Sequence, residues 1–143
     1  MNQRAKGAVI PGGVVITRRH VRRRGGFMGV AISTGLFCAG WLTKTLLDGT
    51  LGNVVWFVST MVAFPIMPIL GIPATGGSGR ILTAVAISVV LWWILGQLSS
   101  AKVSSRPVVG WREWFREFVF FATSIIAGTV GAVVLAAYFL GLL

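Results

Sequence analysis

Residues 54–72 read VVWFVSTMVAFPIMPILGI. The run carries no charge and is long enough to cross a hydrocarbon core of about 30 Å. Two prolines, Pro65 and Pro68, break it, and Pro73 closes it. Each internal proline lacks an amide proton and crowds the preceding turn, so each frees a backbone carbonyl. In lipid such a carbonyl must find a partner from protein, from water or in a lined cavity. The stretch thus has two readings. It is a kinked span, or it is a re-entrant segment that enters and leaves by the same face.

The rest of the chain fixes the class around it. Of 143 residues, 55% are hydrophobic and only 11% are charged. An average water-soluble domain carries about 25% charged residues, so a polar shell around a buried core cannot be built here. The charges are also clustered. Seven of the 13 Lys and Arg precede residue 25, and four lie between 102 and 116. Basic clusters beside long apolar runs mark membrane ends. No compact basic fold surrounds them, which argues against a nucleic-acid role despite a net charge of +10.

Three further apolar runs read as spans, at about 27–47, 81–98 and 118–142. With 54–72 they predict an all-α integral membrane protein, a small bundle of four transmembrane helices. The alternative is three spans plus a proline-containing re-entrant segment at 54–72. Residues 1–26 read as a basic, Gly- and Arg-rich cytoplasmic tail ahead of a helical membrane domain at 27–143. The tail does not fit processing signals well. A twin-arginine signal needs a cleavage site that is missing after the first run, and a transit peptide is Ser-rich and helical. A bacterial inner membrane is the expected setting, with an organellar membrane as the alternative.

Topology sets two rules against each other. Four spans with a cytoplasmic N-terminus place eight Lys and Arg inside and five outside, but strand the basic loop 99–117 on the outer face. A re-entrant 54–72 puts eleven inside and leaves only Lys44 and Arg80 outside. That obeys the positive-inside rule much better.

Candidate contacts follow from pattern. Arg18, Arg19, Arg22, Arg23 and Arg24 form a polybasic run suited to anionic headgroups, or to a partner surface. In GWREWFREF, residues 110–118, Trp111, Trp114, Phe115 and Phe118 share one helical face. They predict an interfacial amphipathic helix whose rings anchor in the headgroup boundary. Small residues recur every four positions at Ala31, Gly35 and Ala39, and at Ser124, Gly128, Ala132 and Ala136. Such stripes let helix backbones approach closely, within this bundle or against a partner helix.

Chemistry is sparse. His20 is the only histidine and Cys38 the only cysteine, so neither a disulfide within the chain nor a cysteine zinc site can form. Asp48, Glu113 and Glu117 are the only acids. Glu113 and Glu117 lie one turn apart, but the arginines between them favour intrahelical pairing such as Glu113–Arg116. No ionisable group falls in mid-membrane, where a proton or ion pathway would need one. We therefore expect no catalytic, cofactor or metal site. The expected role is a non-catalytic accessory, assembly or scaffold subunit of a larger membrane complex, partnered by lipid and by other membrane subunits or copies of itself. The alternative is a small oligomeric transporter, flippase or channel component working through the Pro65/Pro68 break. A membrane-embedded enzyme built on the three acids is the third reading.

Overall fold

The structure, a computed structural model, describes residues 13–47, 49–71, 77–105, 109–139 and 141, with side chains at all of these except 13–17, 133 and 136. Asp48, the first part of the tail, residues 72–76, residues 106–108 and the Ala136 side chain lie outside the described residues. Every described element is helical: α1 (Gly13–Leu46), α2 (Thr50–Ala63), α3 (Ile66–Ile69), α4 (Ser78–Ser104) and α5 (Trp111–Phe139).

Three of these, α1, α4 and α5, are long and apolar enough to cross a membrane. The outer surface agrees with their composition. Phe27, Leu51, Leu82, Phe120 and Phe139 are each largely exposed. Proteins that live in water rarely display so continuous an apolar surface. A four-span bundle is not confirmed by the helix lengths. The fourth, α2, has 14 residues, or about 21 Å at 1.5 Å per residue, short of the roughly 30 Å of a hydrocarbon core.

Glycines set the closest contact in the fold. α1 and α4 run antiparallel, with Val21 level with Ser100, Gly25 with Gly96 and Gly29 with Trp92. A methyl group added at Gly96 would land on the Gly25 carbonyl and close to the Gly26 Cα. Glycine inside a helix costs about 1 kcal/mol against alanine, and the close approach of two backbones is what offsets it here. Ser100 Oγ sits in the same seam, 2.8 Å from the Gly96 carbonyl and 3.1 Å from that of Val21.

α2 folds back along α1. Gly52 lies against Leu47, Gly40 against Ser59, and Ser33 Oγ reaches the Ala63 carbonyl at 2.9 Å. Beyond Ala63 the chain turns round. Ile66 N–H points to Ser88 Oγ at 3.4 Å, and Met67 packs on Ala84, one turn nearer the start of α4. Gly71 ends α3 with φ 71°, a left-handed conformation that a side chain would strain. Counting helical rise from the Gly29–Trp92 contact, Ser78 stands level with Thr43 near the end of α1. Ala63 thus lies at the level of Ser33, while Gly52 and Ser78 both lie near the end of α1.

The basic run does not form a separate tail. Helix α1 already includes it from Gly13 onward, and Val21 is fully buried between the arginines. Helix α1 runs unbroken across residue 26. The polar turn 110–118 is likewise not a separate helix, since α5 runs unbroken from Trp111 to Phe139.

Candidate functional site at the broken helix and the basic end

At the break, the Ala63 carbonyl is covered by protein. Pro65 has no N–H, and Met67 N–H bonds to the Phe64 carbonyl at 3.0 Å rather than continuing the helix to Ala63. The Ala63 carbonyl instead accepts two side-chain hydrogen bonds, from Ser33 Oγ at 2.9 Å and from Trp92 Nε1 at 2.7 Å. Pro65 is buried and Pro68 half-buried. Together they help line an open apolar cleft of about 420 Å³ between α2–α3 and α5, with Phe57, Met61, Ile126 and Val130. Thr129 is the only hydroxyl in this lining, and it donates to its own helix at Ile125. The cleft can accept a hydrocarbon chain or an apolar side chain, and it offers little to a polar solute.

At the other end, the stretch 110–118 behaves differently from its expected anchoring role. Trp114 and Phe118 are 2% exposed and stack on each other, with ring centroids 5.0 Å apart. Phe118 also meets Trp92 at 5.7 Å, and Trp114 Nε1 donates to the Gly96 carbonyl at 3.1 Å. These two rings belong to a core shared with Val21, Leu95 and Val103. Only Trp111 and Phe115 face outward. The aromatic stripe is wide, and its Trp114/Phe118 edge turns inward because the Gly25–Gly96 seam leaves room for flat rings.

Glu117 is buried and pairs with Lys102 on α4, N to O 2.7 Å. The Lys102 ammonium also stands 5.1 Å from the Phe121 ring. Glu113 lies in the first turn of α5, where a carboxylate is favoured by the helix dipole. Among the described residues no group of three His, Cys, Asp or Glu could hold a metal ion.

Both predicted small-residue stripes point away from the bundle. Ala31, Gly35 and Ala39 are exposed, as are Ser124, Gly128 and Ala132. A methyl group at Gly35, Gly128 or Gly131 would meet nothing within 4 Å. The seam inside the bundle uses Gly25, Gly29 and Ser33 instead, half a turn away on α1. The spacing was visible in the sequence, but the choice between two parallel stripes on one helix was not. Arg18, Arg19, Arg22, Arg23 and Arg24 are all exposed around the buried Val21.

These features define the class, an all-helical protein with three helices of membrane-spanning length. Compared with family models, curated proteins and solved structures, the chain matches none of them.

Proposed function

We propose that this chain is a non-catalytic multi-pass membrane subunit that works by presenting helix surfaces to other membrane helices, in a larger complex or in copies of itself. One observation carries this reading. The outer face of α5, with Ser124, Gly128 and Ala132, is open, and only 6% of the apolar stretch of that helix is buried. Lipid tails are as apolar as leucine, so small residues on a lipid-facing surface gain little there. Their value lies in letting a second backbone approach. Gly128→Leu is expected to abolish co-purification of partner helices, or self-association, in mild detergent. The isolated chain should keep its thermal stability, because the added side chain meets open space. A wild-type chain that runs as a lone monomer with no companion sinks this reading.

The orientation that goes with it is three crossings with residues 54–71 re-entrant. The N-terminus of α1, the C-terminus of α4 and the N-terminus of α5 gather at one end, and this end is cytoplasmic by the positive-inside rule. After Cys38→Ala, single cysteines at Arg19 and Ser105 should react with a membrane-impermeant thiol reagent only from the cytoplasmic side, and one at Ser78 only from the outer side. Labelling of Arg19 and Ser105 positions from opposite sides would restore the four-span topology.

A further inference from the structure

Two grooves meet end to end, the upper on the surface of α1 and the lower between α1 and α4. The upper one, about 520 Å³, is lined by His20, Arg23, Arg24, Phe27, Met28 and Ala31. The lower one, about 620 Å³, shares Phe27 and Ala31 and continues between Val30, Thr34, Val90 and Trp93. One is basic at its mouth and the other almost wholly apolar. Their junction also sits at a defined height. Gly26 packs against the Trp93 ring, which holds Phe27 and Trp93 level, and Phe115 follows directly after Trp114 on the Gly25–Gly96 seam. Phe27, Trp93 and Phe115 are exposed by 70%, 44% and 52%. Large exposed rings on three helices at one level mark a headgroup boundary. The arginines stand just above this level and the apolar groove just below it.

We propose that this double groove is a binding site for one anionic phospholipid of the cytoplasmic leaflet. Arg23 and Arg24 take its phosphate, and one acyl chain lies along Val30, Thr34 and Trp93. The charge of the mouth complements an acidic headgroup, and the order of basic, aromatic and apolar surfaces is the order of a lipid's own parts. This differs from diffuse attraction of the whole polybasic run to a membrane surface, because it assigns the phosphate to the two arginines that line the groove. The site is separate from the outer face of α5, so it stands or falls independently of the subunit role.

The test uses the full chain in mild detergent, titrated with phosphatidylglycerol or phosphatidylcholine of equal chain length. Native mass spectrometry reads the affinity of the first bound lipid. Surface arginines contribute about a fivefold gain each toward anionic lipid, so Arg23→Gln with Arg24→Gln should reduce the preference for phosphatidylglycerol by roughly 30-fold. Arg19→Gln with Arg112→Gln removes the same charge elsewhere at this end and should leave most of the preference intact. Ala31→Phe, which fills the junction from an exposed position, should weaken the first binding of both lipids. Equal losses from the two arginine pairs would overturn the site in favour of diffuse attraction. Inorganic phosphate competing as well as the lipid would overturn the role of the groove. A dimer that Ala31→Phe dissociates would assign the face to a second copy of the chain.

Discussion

Gly96→Ala should destabilise the bundle by about 3 kcal/mol, the upper part of the usual range for an overpacked core. The size follows from what the new methyl group meets. Its neighbours are the Gly25 carbonyl and the Gly26 Cα, backbone atoms that cannot rotate aside. Relief requires α1 and α4 to separate, and separation stretches the hydrogen bond that Ser100 Oγ donates to the Val21 carbonyl across the seam. Unfolding in detergent micelles, followed by helix signal against added denaturing detergent, would measure the loss. Gly128→Ala is the matched control. It meets open space, and alanine favours helix over glycine, so its stability should hold or rise slightly. Equal behaviour of the two variants would mean that the helices do not touch at Gly25 and Gly96.

The second large effect concerns the Ala63 carbonyl. Ser33→Ala alone leaves it the Trp92 donor, and Trp92→Phe alone leaves it the Ser33 donor. Each single change should therefore cost about 1 kcal/mol from its hydrogen bond, with some lost packing added for the tryptophan. The double variant strands a buried carbonyl without a partner. It should exceed the sum of the singles by about 1–2 kcal/mol, the penalty for an unsatisfied buried acceptor. Stabilities of the four proteins in the same micelle close the cycle. Strict additivity would show that the two donors do not share one acceptor.

Both predictions concern places where the sequence raised a question that it could not answer. The two prolines announce a helix break, but nothing in the order of residues names Ser33 and Trp92 as donors to the Ala63 carbonyl there, each about 30 positions away, one on either side. Span recognition was the easier part. Runs such as 118–142 exceed the hydrocarbon thickness and lack charge, and these are local properties. The outer boundaries were harder, because the arginines of 18–24 look like a tail. They belong to α1 because Val21 and the glycines beside them pack against α4 and α5.

The stretch 110–118 shows the same division. Its helical periodicity was plain, and its continuity with the last span needed only the absence of a breaker after Gly110. Which ring faces lipid and which enters the core depended on the partner surface. Trp114 and Phe118 are buried because the Gly25–Gly96 approach leaves a flat recess beside it, whereas Trp111 and Phe115 lie one edge further round the helix. Glu117 likewise pairs with Lys102, which the antiparallel packing of α4 and α5 brings level with it.

By itself, the sequence determined the class: an all-helical chain with membrane-spanning runs, a strongly basic end and few groups that could do chemistry. Those follow from composition and period, which act residue by residue along the chain. Tertiary structure alone decided that the helix breaks after Ala63, that the inner seam runs through Gly25, Gly29 and Gly96, and that the stripes at Gly35 and Gly128 remain open. These outcomes depend on which helix faces meet and at what register. Contacts between residues tens of positions apart set that register, and no local pattern encodes it.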